Sequence, residues 1–187
     1  MKMSLKEIGI FISAALILSV ISYIFSILKL GLWSNLIISL GFAAAILISL
    51  INPKKNILGV KAIVVYLLFS IFNAALGLFD YSMQNPIPLL YAYLLTAAEI
   101  ALVIVILFGV YRFRKWSFYL AELYFLFYFL GLIYLQFILF NGPLYPYYIS
   151  IGDITSLISS IGTGTLKIFF FLLTIIYLAK IKDLFTK

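Results

Sequence analysis

Six stretches of about twenty apolar residues each fill most of the chain, separated by short breaks rich in proline, glycine and lysine. No other feature constrains the fold as tightly. A run of about twenty apolar residues is what an α-helix needs to cross roughly 30 Å of hydrocarbon. The stretches are 8–28, 33–52, 57–79, 88–111, 116–140 and 154–180. Proline stays out of their interiors: Pro53, Pro86, Pro143 and Pro146 lie between stretches, and Pro88 opens the fourth. Proline in these places punctuates helices without interrupting them. A membrane β-barrel would require strands that alternate apolar and polar residues. The segment from Ile100 to Leu107 is apolar throughout and excludes that reading.

Composition removes the soluble alternatives. The chain is 66% hydrophobic and 10% charged, with a mean hydropathy of +1.23. Soluble domains carry about 25% charged residues. A water-soluble fold of 187 residues would have more apolar side chains than core positions to hide them, and lipid is the second apolar solvent that resolves the excess. The expected fold is therefore all-α, a polytopic transmembrane helix bundle of six spans with residues 1–187 forming a single transmembrane domain. The apolar run that begins the chain continues past Leu16, Val20 and Ile24 without a clear cleavage site. It exceeds the roughly 7–15 apolar residues of a signal peptide, so it is read as a retained first span.

Charge orients the bundle. With six spans, Lys2, Lys6, Lys54, Lys55, Lys61, Arg112, Arg114, Lys115, Lys180, Lys182 and Lys187 all fall on one side. Lys29, Asp80 and Asp153 fall on the other. This is the positive-inside pattern, which places both termini in the cytoplasm of a multi-pass cell-membrane protein. The net charge of +7 thus reports topology, and no nucleic-acid partner is expected because the basic residues form short clusters at helix ends. Trp33 and Trp116 each open a span, where an amphipathic ring suits the headgroup level.

The chain has no cysteine and no histidine. That excludes disulfides, thiolate nucleophiles, the usual zinc and haem ligand sets and a Ser–His catalytic pair. No cofactor and no enzymatic activity are expected.

Three charges lie well inside spans: Glu99, Glu122 and Lys167. A charge at the centre of a membrane helix costs roughly 2.5–3.5 kcal/mol on insertion scales, so each demands a partner, water or a purpose. Glu99 and Lys167 both fall near the midpoint of spans that run in the same direction, which predicts an ion pair between them. Glu122 lies about 9 Å from the cytoplasmic boundary at 1.5 Å per residue and is expected to snorkel toward the basic loops. Ser156, Ser160, Thr163 and Lys167 share one face of the last span. Tyr66, Ser70, Asn73, Gly77 and Asp80 mark a second polar stripe on the third, and Thr96 precedes Glu99 by one turn. Glu99, Lys167, Thr163, Ser160, Asn73 and Thr96 are therefore the candidate solute or ion pathway, an outward vestibule with Asp80 and Asp153 at its mouth and the Glu–Lys pair as its floor. The structural counter-reading is that small and hydroxyl residues are packing seams, each interhelical hydrogen bond contributing about 0.6 kcal/mol on average.

These features point to a small-solute carrier, or the substrate-binding component of one, taking a small polar solute from outside. The alternative is a non-catalytic accessory or assembly subunit of a larger membrane complex, with partner subunits seated on aromatic surfaces such as Tyr119, Tyr124, Tyr128 and Tyr134. Under either reading the lipid bilayer is the first partner.

Overall fold

In an apolar solvent a chain must satisfy its own backbone hydrogen bonds, and a helix does so segment by segment. The computed structural model describes residues 5–28, 31–52, 56–84, 90–141 and 154–185. Those residues form six α-helices: α1 (Leu5–Ile27), α2 (Gly31–Ile51), α3 (Asn56–Gln84), α4 (Leu90–Tyr111), α5 (Lys115–Asn141) and α6 (Ile154–Ile181). A 3-10 turn, Lys182–Leu184, follows α6. There is no strand among the described residues. Five of the helices contain a segment long and apolar enough to cross a membrane; in α2 the apolar segment is the shorter Leu36–Ile51. The helix ends fall close to the expected boundaries. α3 runs five residues further than expected, to Gln84, and α4 is described from Leu90, so the expected role of Pro88 lies outside the described residues.

Consecutive helices alternate in direction, and α3 is the hub. It packs against α1, α2 and α4 and also touches α6. Around it, α1 packs on α2, α2 on α6, α6 on α5 and α5 on α4. An aromatic layer fills the centre. The Tyr66 ring of α3 lies 5.3 Å from Phe42 of α2, 6.0 Å from Phe125 of α5 and 4.6 Å from Phe170 of α6, centroid to centroid. Such tilted and edge-on pairs contribute about 0.5–1.5 kcal/mol each beyond their contact area. The outward surface is as apolar as the core: Ile17, Ile37, Leu95, Leu123 and Phe127 are all exposed. In water so large an apolar surface would associate; against lipid it is the matched surface.

Among the described residues, the basic side chains other than Lys167 gather at one end of the bundle. There Lys61 Nζ of α3 donates to Glu7 Oε1 of α1 at 2.8 Å. Partly exposed pairs of this kind contribute up to about 1 kcal/mol. Lys180 Nζ of α6 donates to the Leu50 carbonyl at 2.6 Å, at the C-terminus of α2 where carbonyls lack helical partners and the helix dipole is negative. The α4–α5 turn lies at the same end and closes as a Schellman motif. The Arg114 amide donates to the Gly109 carbonyl at 3.0 Å, and the Phe113 amide to that of Val110 at 3.0 Å. Phe113 takes the left-handed position of that motif (φ 50°) that glycine usually fills. Its ring is held by packing, 5.4 Å from Phe185 after the last helix.

Two glycines are required by close approach. A Cβ on Gly59 of α3 would meet the ring of the fully buried Tyr177 of α6, with Cε2 and the hydroxyl both at 2.7 Å. A Cβ on Gly109 would meet Ser117 and Trp116 across the α4–α5 turn. Overpacking a site of this kind costs about 1–3 kcal/mol. Gly59→Leu should lower the thermal midpoint of the purified protein accordingly, and Tyr177→Leu in the same chain should recover part of the loss. An undiminished midpoint for Gly59→Leu alone would show that α3 and α6 do not approach here.

Candidate functional site

Glu99 does have partners, and they come from α5. Tyr128 and Tyr124 are four residues apart and so share one face of that helix. The Tyr128 hydroxyl donates a hydrogen bond to Glu99 Oε1, and the Tyr124 hydroxyl reaches the same oxygen at 3.4 Å. The two rings lie 4.8 Å apart. Behind them Ser70 Oγ of α3 lies 3.3 Å from the Tyr124 hydroxyl. Three helices thus converge on one carboxylate through a chain of hydroxyls. The arrangement matches the acceptor-only chemistry of a carboxylate with donors that are themselves anchored. Both tyrosines use Oε1, and no hydrogen bond among the described residues is made to Oε2.

The carboxylate forms the floor of a cavity of about 560 Å³ between α4 and α5. Its walls are Leu95, Ala98 and Leu102 of α4 and Leu120, Leu123 and Phe127 of α5; Glu99, Tyr124 and Tyr128 supply the polar groups. Leu95, Leu123 and Phe127 lie on the outer surface of the bundle, at 67%, 61% and 74% exposure, so the mouth faces sideways. An apolar recess of a few hundred Å³ with a few convergent polar groups is the usual form of a small-molecule site.

The expected Glu99–Lys167 ion pair is not formed, which corrects the sequence reading. Among the described residues the two make no ion pair, and α4 and α6 do not pack along each other because α5 lies between them. Helix register is the second reason. The α6 residue set beside Tyr128 is Phe171, with ring centroids 5.9 Å apart. Lys167 lies one turn toward the N-terminus of α6, and its side chain leans further that way. Midpoint arithmetic assigned the two residues one depth but could not say which helices are neighbours.

Lys167 is half buried on the inward side of α6, near the level where Gly164 abuts the Gln136 amide of α5. Thr163 and Thr96 are half buried and both make polar interactions, and Asn73 is half buried one turn from Ser70. Asp153 lies outside the described residues, and for Asp80 and Ser160 only the helical backbone is described, so the vestibule mouth falls outside them as well. Other hydroxyls turn inward on their own helices: Thr165 Oγ1 donates to the Ile161 carbonyl, Thr174 Oγ1 to that of Phe170 and Ser49 Oγ to that of Ala45, each at 2.8 Å. Those side chains satisfy themselves locally. No group of three or more metal-ligating side chains occurs among the described residues.

Sequence reasoning missed the roles of Tyr124 and Tyr128, which it offered only as rings able to face a partner subunit or lipid, and it overlooked Gln136 altogether. A signal for the tyrosines was present. α4 and α5 are antiparallel neighbours joined by only Arg112, Phe113 and Arg114. Glu99 lies twelve residues before the end of α4 and Tyr128 thirteen after the start of α5, so at a common rise per residue they share a depth.

Comparison with known proteins finds no match to a family model, a curated protein or a solved structure.

A double-mutant cycle tests the new partnership. Stability losses from Glu99→Gln and Tyr128→Phe should be non-additive by about 0.5 kcal/mol or more, as for residues in one network. Losses from Glu99→Gln and Lys167→Leu should add. Coupling in the second pair and none in the first would restore the ion pair and discard the tyrosine clamp.

Proposed function

We propose that this chain is a six-span protein of the cell membrane, with both ends cytoplasmic, that acts as a small-solute carrier or as the substrate-binding membrane component of one. Glu99 anchors the solute, and Tyr124 and Tyr128 hold the carboxylate in place. The observation that carries the reading is a carboxylate in the middle of an apolar helix, clamped on one oxygen at the floor of a cavity. A purely structural carboxylate would gain most from being enclosed with both oxygens bonded, because an unmet charged acceptor in a low-dielectric interior is costly. Here both tyrosines bond Oε1 and Oε2 has no hydrogen bond among the described residues, the arrangement expected of a group that has a further ligand to meet.

The orientation rests on the basic end of the bundle, where Lys61, Arg112, Lys115, Lys180 and Lys182 gather at helix ends. An accessory-subunit reading draws on the aromatic surface of α5, where Tyr119, Phe127, Tyr134 and Phe137 are exposed. Reproducible stoichiometric partners after purification in mild detergent would favour it.

Two measurements test the proposal. The chain has no cysteine, so single cysteines report topology cleanly. In intact cells a membrane-impermeant maleimide should label Asn141→Cys and spare Lys182→Cys; the reverse pattern would invert the orientation. A thermal-shift screen of small solutes on the purified protein should yield stabilising compounds whose effect disappears in Glu99→Gln while that variant still inserts. A screen without hits, or hits indifferent to Glu99, would remove the carrier reading.

A further inference from the structure

We infer that the solute is an amphiphilic cation, an apolar body carrying one protonated amine, which enters the α4–α5 cavity sideways from the lipid. The inference rests on the carrier reading above and adds the chemical class. Three features carry it. The walls are aliphatic and aromatic, so most of a ligand's surface must be apolar. The open side is flanked by Leu95, Leu123 and Phe127, which lie on the outer surface of the bundle, so the route in crosses the lipid-facing side. Glu99 lines the cavity and its tyrosine partners both bond Oε1, so Oε2 is the carboxylate oxygen still able to accept a hydrogen bond.

Charge complementarity then selects the occupant. A neutral alkyl chain would gain the walls and leave the carboxylate uncompensated, and an anionic headgroup would meet a like charge. An ammonium group makes a charge-assisted hydrogen bond and lets both charges share one desolvation. Tyr124 and Tyr128, with ring centroids 4.8 Å apart, line the same cavity, and aromatic rings attract a cation. Among the described residues no other charged side chain lines the cavity.

The test is photolabelling of the full chain in phosphatidylcholine vesicles. Three diazirine-bearing dodecyl probes are used, differing only in headgroup: amine, alcohol and sulfate. The amine should label peptides of α4 and α5 about tenfold or more above the other two, the discrimination expected of a charge-assisted bond. That excess should collapse in Glu99→Gln and also in Leu123→Trp, a substitution on the exposed wall that fills the cavity without touching the polar cluster. Equal labelling by all three probes that nonetheless falls in Glu99→Gln would overturn the cation assignment and leave the carrier reading standing. Glu99-dependent labelling by the alcohol or sulfate in preference to the amine would do the same. Labelling by all three that is indifferent to Glu99 would make the cavity a seat for bulk lipid and remove both claims.

Discussion

The structure depends on a constraint set by its solvent. Apolar side chains gain little from burial when the surroundings are as apolar as the core, so helices in lipid associate by shape and by hydrogen bonds. The aromatic layer around Tyr66 is the shape part of that answer, with rings from α2, α3, α5 and α6 meeting tilted or edge-on at 4.6–6.0 Å. The small residues are the other half. Gly59 lets the backbone of α3 come up against the Tyr177 ring, and Ser19 of α1, almost fully buried, reaches the Phe69 carbonyl of α3 at 3.5 Å. These contacts make α3 the helix against which the others are placed.

From that placement the site follows. With α3 at the hub and the α4–α5 turn fixed as a Schellman motif, α4 and α5 are held in one register. That register sets Glu99 against Tyr124 and Tyr128, and Ser70 on the hub helix ties Tyr124 to the core. The carboxylate is thus positioned by a helical hairpin joined by only three residues. Phe113 illustrates how firmly that connection is held. A bulky residue with positive φ is strained, and it is kept there by packing on Phe185.

How much of this was legible in the sequence divides along a physical line. One-dimensional properties were legible: apolar length gave the helices to within a few residues at most ends, and lysine and arginine placement gave a single basic end. Relative depth was legible only to about one turn: constant rise per residue matches Glu99 with Tyr128 across the short α4–α5 connection, but the level assigned to Lys167 was a turn off. Neighbourhood in the membrane plane was not, since the polar stripes of α3 and α6 mark one face of each helix without saying which helix that face meets. Glu99 was correctly singled out as a residue needing a partner, but a partner sharing its depth was sought on α6 when α5 supplied one. Only a short connection converts depth into contact. The three residues between α4 and α5 make that conversion, whereas the longer connection from α5 to α6 leaves the lateral order open.

The same reasoning separates the two intramembrane charges by role. Glu99 is fixed by a polar network anchored on three helices, so its position is specified by the fold. Lys167 sits on α6 one turn from the aromatic layer, carried by a flexible four-carbon stem, with neither hydroxyl chain nor carboxylate bonding it among the described residues. A long cationic side chain in that setting can lower its cost by reaching along its helix toward the membrane surface. A carboxylate on two short carbons at mid-helix has no such escape. It must be met where it stands, by the protein or by what the protein binds, and the tyrosines meet only half of it. That asymmetry is why the proposed ligand is placed in the α4–α5 cavity and not on the lysine face of α6.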